Sequence, residues 1–389
     1  MKFLVVGAGF AGAVTAREIV DRTQAEVEVI DQRDHIAGNC HTERDPSTGI
    51  MIHRYGPHIF NTNNQEIWEY VNSLVEFQPF INRVKAVTDH GLLTLPVNLL
   101  TINQLFKQAM GPDKAREFVE NIADKNIVEP ENFEEQALKF VGKELYETLF
   151  YGYTKKQWGC EPTELPASIL KRLPVRFSYD DNYYNSTYQG IPKEGYTELI
   201  SRILDHPRIE VRLNEAFEES MTQNYEHTFY SGSVDSYFGF SEGRLGYRTV
   251  YWEEEVHNGD YQGNPVVNFT SSSVPYTRVL EHKHFAPWED HDQTIVFREF
   301  SKKTEEDDIP YYPVRLDADK AILNKYIERA SSERNTSFIG RLGTYRYLDM
   351  DQVIAESKAF AQDFLTATSE ERLSTKYRFS ADPFSQAKK

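Results

Sequence analysis

Twelve consecutive positions, GRLGTYRYLDMD (340–351), hold two arginines, two tyrosines and two aspartates. That composition suits an anionic ligand: guanidinium groups grip phosphate in bidentate fashion, and phenols donate to it without adding charge. The stretch follows the apolar pair Phe338-Ile339 and precedes an amphipathic run, VIAESKAFAQDFL. A strand therefore hands over to a helix start, where backbone N–H groups can face an anion. Other residues of the same chemistry recur along the chain. Lys171, Arg172 and Arg176 precede Tyr179, Tyr183, Tyr184 and Tyr188, an arrangement that fits either a ligand-facing row or an amphipathic surface strand. Arg278 follows the turn SSSVPYT, with Asn268 upstream, and DDIPYYPVR fixes Tyr311 and Tyr312 between prolines. GYTKKQWG (152–159) suits either a lid with an aromatic clamp or a helix end with an exposed tryptophan.

The elements that must position these residues begin at the N-terminus. KFLVVGAGFAG reads as strand, tight turn and helix, with Gly7, Gly9 and Gly12 in the G-x-G-x-x-G spacing. A second β-rich run, VEVID, ends in Asp31, nineteen residues beyond Gly12. Strand, spacing and acid together make the dinucleotide fingerprint: Gly7 for the turn, Gly9 for approach of the pyrophosphate, Gly12 for helix–strand packing, and Asp31 for a ribose hydroxyl. The following QRDHIAGNCH resembles FAD-binding oxidoreductases of the glutathione-reductase type, as does TSFIGRLG near the far end, so the cofactor expected is FAD. Segments across 98–165 repeat apolar positions three and four apart and read as helices. From about 240 to 315 strand patterns dominate, and the last two dozen residues read as a loose polar tail.

Composition excludes several classes. The chain has 389 residues and a net charge of −17, which argues against a broad nucleic-acid or anionic-membrane surface. An anionic substrate would have to be met by a local basic pocket. Two cysteines, Cys40 and Cys160, stand in no metal-ligand spacing, and His282 with His284 lacks a third ligand nearby in sequence, so no metal is expected. The glycine-broken N-terminal run is not read as a signal peptide, and no apolar stretch approaches the ~18 residues of a membrane span. A cytoplasmic protein is expected.

The motifs GAGFAG, IDQRDHIAGN, YGPHIFNT, FEEQALKFVGKELYETLFYGYTKKQWG, ELPASILKRLPVR, GRLGYRT, VPYTR, DIPYYPVR and GRLGTYRYLDMD resemble the bacterial UDP-galactopyranose mutases, in register from residue 1 to about 365. The resemblance implies an α/β fold: a Rossmann-like FAD-binding domain (1–79, 190–238 and 316–389), an inserted helical domain with a lid (98–165), and an antiparallel-sheet substrate domain (80–97, 166–189 and 239–315). It implies interconversion of UDP-galactopyranose and UDP-galactofuranose through attack of reduced flavin N5 on the anomeric carbon, with no net redox change. Catalytic residues implied are Arg172, Arg278, His58, Tyr347 and Asp349. Phe10, Gly38, Asn39, Gly340, Arg341, Asp349 and Met350 join Gly7, Gly9, Gly12 and Asp31 around the cofactor. Asn82, Phe150, Tyr153, Trp158, Tyr183, Arg248, Asn268 and Tyr312 join Arg172, Arg278 and Tyr347 around a UDP-sugar. A homodimer is implied, with neither nucleic acid nor membrane as partner.

Two positions depart from the family pattern. Ala37 replaces a glycine, a small change if φ there is negative, and Asn61 replaces a histidine close to where sugar and flavin would meet. The second departure raises the reading of a variant sugar nucleotide such as UDP-N-acetylgalactosamine. A flavin-dependent oxidase is a further alternative, though it leaves the arginines without a role.

Overall fold

A computed structural model describes residues 1–172 and 175–385; the side chains of Ser168, Lys171, Arg172 and Asp317 are outside that description. β1 (Lys2–Val6) passes through Gly7 into α1 (Phe10–Arg22), and β2 (Glu26–Ile30) follows. Both strands bury four consecutive residues, as parallel strands covered on two faces must. A hairpin of β3 (Thr42–Arg44) and β4 (Met51–His53) leads to β5 (Phe60–Thr62), α2 (Gln65–Leu74), β6 (Phe77–Pro79) and the hairpin β7 (Val84–Thr88)/β8 (Gly91–Leu95). Helices α3 (Leu99–Leu105), α4 (Pro112–Ile122), α5 (Phe133–Leu145) and α6 (Gly152–Trp158) come next, with a π-helical turn, Tyr146–Tyr151, between the last two. Asn98 and Asn132 cap α3 and α5 by accepting from Thr101 and Glu135 N–H, and Pro112 opens α4 at a position that needs no N–H.

The chain then returns through β9 (Tyr188–Pro192), α7 (Gly195–Leu204), β10 (Ile209–Arg212), β11 (His227–Tyr230) and α8 (Val234–Tyr237). β12 (Tyr247–Asn258), β13 (Val266–Phe269), β14 (Arg278–Glu281), β15 (Gln293–Lys303) and β16 (Tyr312–Pro313) follow. α9 (Asp317–Ser332), β17 (Thr336–Phe338), α10 (Gly340–Gly343), α11 (Met350–Thr366) and α12 (Ser369–Arg372) complete the order.

The first sheet is parallel, in the order β10-β2-β1-β11-β17. Alternation along β1 divides its faces: Phe3 and Val5 pack with α1, α7 and α11, whereas Leu4 and Val6 pack with Leu323 and Tyr326 of α9. The second sheet runs β16-β12-β15-β14-β13-β7-β8. An antiparallel sheet was expected here, but β13 and β7 pair in parallel. β7 arrives before the helical segment and β13 well after it, so no hairpin turn dictates their relative direction. The expected loose tail is also corrected. Arg378 is 1% exposed, Tyr377 is buried, and the backbone of 378–380 exchanges hydrogen bonds with Phe338 on the edge of β17. Polar composition misled because this tail docks by main-chain pairing, the buried ring of Tyr377 and the half-buried ring of Phe379; residues 386–389 of the expected tail lie outside the described residues. Among the described residues no helix is long and apolar enough to cross a membrane.

Candidate active site

A cavity of about 1300 Å³ opens at the carboxyl ends of β1 and β2 and extends to the C-terminus of α6. At its base the expected glycines serve as their spacing predicts. Gly7 has φ +101°, and a Cβ on Gly12 would collide with Gly7 O at 1.9 Å. Gly9 and Gly38 meet backbone to backbone, leaving a cradle beside α1's first turn that a side chain would fill. Asp31 accepts Ala8 N–H at 2.8 Å and Arg33 N–H at 3.0 Å, so it clamps the two turns and keeps one lone pair per oxygen for a ribose. Arg33, not singled out from sequence as a site residue, donates to Asn39 at 2.8 Å and lies over the Tyr55 ring, while its buried Nη1 has no protein partner. An unpartnered cationic donor beside a glycine cradle fits the pyrophosphate of a dinucleotide. Phe10, Asn39, Gly340, Arg341 and Met350 all line this cavity, and so does His58.

The GRLGTYRYLDMD motif divides between two surroundings. Arg341 donates Nε to Leu348 O at 3.1 Å and lies over the rings of Tyr347 and Tyr312. Arg346 turns the other way into a buried bidentate pair with Glu356, both bonds 2.9 Å, and Tyr345 is buried with its hydroxyl on Gly246 O. Only half of the motif's arginines and tyrosines therefore face the cavity side. Asp349 caps α11, its N–H donating to Gln352 Oε1 at 2.9 Å. Ala37 sits at φ +76°, contrary to the negative φ that would have made it a minor change.

Phenols gather around Arg278. Tyr312 and Tyr347 stack at 5.8 Å, Tyr183 meets Tyr184 edge-on at 5.4 Å, and the Arg278 charge acts on Tyr153, Tyr183, Tyr184 and Tyr312. Burial pushes these four hydroxyls up, that of Tyr312 to about 12, so they stay protonated donors. Arg278 itself is anchored by Glu299, its register partner across β14 and β15: Nε donates at 2.7 Å and Nη2 lies 2.6 Å from the same carboxylate oxygen. Burial opposes the charge, but Glu299 outweighs it and holds the guanidinium above its ordinary range. Glu299, 1% exposed and also accepting from Thr277, escaped the sequence reading. The available signal was an acid inside the buried run TIVFREF, which has no solvated place to go.

Asn268 stands opposite Arg278 in the β13–β14 register, and the side-chain oxygens of Asn268 and Asn82 are buried without protein partners. Tyr153 and Phe150 come from α6 and the π turn, the kind of distortion that re-aims side chains at functional sites. Trp158 ends α6 and lines the cavity, with Gly159 in the left-handed conformation behind it. That helix is tied down twice. Lys156 Nζ donates to Phe269 O, Ser271 O and Tyr276 O at 2.6, 2.9 and 2.9 Å, and Arg248 donates Nε to Gln157 O at 2.9 Å and Nη2 to Ser301 Oγ at 3.0 Å. Arg248 thus supports the helix C-terminus as well as lining the cavity. Arg172 ends a 3₁₀ turn, Ala167–Arg172, and its side chain is outside the described residues. Asn61 lies on β5, where Ser186 Oγ donates to its Oδ1 at 2.9 Å.

His58 is neutral: burial, then the Arg341 charge, lower it to about 4, and its Nδ1 lies 2.8 Å from Gly56 O. Cys40 lines the same cavity, its thiol pushed up by burial to about 12. Away from the cavity, Asp260, Glu281 and His284 converge, which the sequence spacing did not suggest. Glu281 already accepts three backbone N–H groups from Tyr261, Gln262 and Gly263, and Lys283 occupies Asp260 at 2.6 Å.

The chain is similar to known proteins along most of its length. A family model described as UDP-galactopyranose mutase matches residues 148–347, and one for an NAD(P)-binding Rossmann-like domain matches residues 5–74. The chain is 52% identical to a probable UDP-galactopyranose mutase of Klebsiella pneumoniae, over 94% of each chain. It is 50% identical to a dTDP-fucopyranose mutase of Escherichia coli, over 94% of this chain and 98% of that one. A crystal structure of reduced UDP-galactopyranose mutase superposes with a TM-score of 0.74 at 14% identity, covering 98% of this chain and 96% of the other.

Proposed function

The chain belongs to the UDP-galactopyranose mutase family, and on that premise we propose that it interconverts UDP-galactopyranose and UDP-galactofuranose with FAD held in its reduced form. The observation that carries this reading is Arg278, anchored by a buried carboxylate and ringed by protonated phenols, its charge acting together with that of Arg341 on both Tyr312 and His58. Reduced flavin, when bound, supplies a nucleophile for the anomeric carbon, so ring contraction needs no net electron transfer. Gly7, Gly9, Gly12, Asp31, Gly38 and Asn39 would hold the dinucleotide's nucleotide half. Gly340, Arg341, Asp349 and Met350 would border the flavin.

Arg278, together with Arg172, takes the role of diphosphate clamp. The two cations stabilise the charge that grows on the departing UDP and keep UDP beside the sugar, so that its return remains effectively intramolecular. Tyr183, Tyr312 and Tyr347 donate to the same phosphates. Phe150, Tyr153 and Trp158 enclose the base, with the amides of Asn82 and Asn268 turned to the nucleoside and Arg248 steadying α6 behind them. Neutral His58 presents an uncharged ring nitrogen to the cofactor. The division into FAD-binding, helical and sheet domains, a cytoplasmic setting and a homodimer complete the reading, as the sequence resemblance implies.

One observation favours a second reading. The dTDP-fucopyranose mutase is nearly as similar as the UDP-galactopyranose mutase, and Asn61 departs from the family histidine. Ring interconversion rates for the furanose forms of UDP-galactose, UDP-N-acetylgalactosamine and dTDP-fucose, measured side by side by chromatography, decide between them. UDP-galactofuranose is expected to have the highest kcat/KM. A preference for either other sugar nucleotide overturns the substrate assignment while leaving the reaction class in place.

A further inference from the structure

Two histidines behind the cavity have no part in the chemistry above. His53, on β4, and His282, in the 3₁₀ turn that follows β14, are both 0% exposed. Their rings lie 6.2 Å apart, nearly parallel, among Tyr196, Phe285 and Phe297. His53 N–H donates to His282 Nδ1 at 3.3 Å, and His58 N–H donates to His53 Nδ1, also at 3.3 Å. A neutral imidazole whose Nδ1 accepts must carry its proton on Nε2, so both tautomers are fixed by these bonds. Protonating either ring would remove the acceptor. Burial accordingly holds both well on the neutral side, His282 near 3.

We propose that His282 and His53 form a two-step ladder whose purpose is to set the main chain of His58, and through it the imidazole that faces the cofactor. The ladder rests on the reading of the site as a flavin site only for its consequence; its geometry stands without it. Each bond is long, and neither alone would fix a loop. In series they tie the His58 loop to the residue directly after β14, the strand that begins with Arg278. The substrate arginine and the cofactor histidine are thereby referenced to one short strand. A merely space-filling pair would need rings, not acceptors at Nδ1. His53 and His282 are therefore positioning residues, distinct from the catalytic set.

The test compares His282→Phe, which keeps a ring and removes the acceptor, with His282→Asn, whose Oδ1 stands close to the place of Nδ1. Two readouts are taken on the full-length holoprotein: amide hydrogen exchange at His53 and His58, and the flavin's visible absorption spectrum with kcat and KM. His282→Phe is expected to expose the His53 amide, shift the flavin band and lower kcat by roughly tenfold or more, with KM little changed. His282→Asn is expected to restore protection, spectrum and kcat. Equal behaviour of the two variants, or unchanged exchange at His58 in His282→Phe, overturns the ladder. If His282→Phe does not fold, His53→Phe and His53→Asn apply the same contrast one step closer to His58. A wild-type protein without flavin would overturn the functional reading instead, and amide exchange would still decide the ladder.

Discussion

Arg278, proposed above as a diphosphate ligand, has its rotamer fixed by Glu299 before any ligand arrives. The pair joins a half-buried guanidinium to a fully buried carboxylate that also accepts from Thr277, so neither partner tolerates loss of the other. Glu299→Ala is expected to destabilise the protein by roughly 3–5 kcal/mol and to raise KM for the nucleotide sugar, read from urea unfolding and steady-state kinetics. Wild-type stability in that variant would contradict the pairing. Arg278 could be singled out in sequence because its motif is local, but Glu299 lies across a strand pair and becomes its partner only once the register is known. Arg346 was misleading for the converse reason: composition cannot say which of two arginines points inward. Ala37 was misjudged because φ is not written in a residue's type. At φ +76° it carries a side chain where glycine is at ease, so Ala37→Gly is expected to raise stability by about 1 kcal/mol without changing cofactor content. A lower Tm would show that the turn's strain is relieved elsewhere.

The element that joins chemistry to architecture is α6, which carries Tyr153 and Trp158 on a helix of two turns. Such a helix has little stability of its own, and its place is set by Lys156, whose ammonium is shared among three carbonyls, one at the end of β13 and two in the β13–β14 connection. Burial lowers that ammonium to about 8, a sign of how far it has been taken from water. Lys156→Met keeps the length of the side chain and removes all three donors. KM is expected to rise severalfold while bound cofactor stays constant, because the bonds of Lys156 go to Phe269, Ser271 and Tyr276, in and beside the second sheet. Unchanged KM would mean that α6 is held by packing alone. The sequence made the helix and its tryptophan visible through apolar spacing, yet it left open whether the segment was a lid or a helix end. Its anchoring depends on carbonyls from residues more than a hundred positions away, which no local pattern encodes.

At the scale of the molecule, a parallel Rossmann-like sheet and a second, mixed sheet meet over one cavity, and buried neutral histidines line the packing between elements. His227 and His282 are both lowered to about 3, each chiefly by burial. The unfolded chain binds these protons near pH 6.5 and the native state does not, so stability is full above about pH 6.5 and falls as pH drops toward 3. By pH 5 the loss is on the order of 2 kcal/mol for each ring. Urea midpoints taken from pH 7.5 to 5 should fall steadily, and His227→Asn should flatten part of that slope; a flat profile would contradict the neutral, buried assignment. The two-sheet plan itself was readable, because glycine spacing and strand alternation report it locally. The parallel β7–β13 pair and the docked tail were not, since both depend on where distant segments return. The central claim is ring contraction by a reduced flavin enzyme, and one measurement addresses it directly: the purified protein is given UDP-galactofuranose with and without dithionite, and the pyranose isomer is followed by chromatography. Conversion that appears only after reduction is the predicted result; no conversion in either state, with flavin bound, would contradict it.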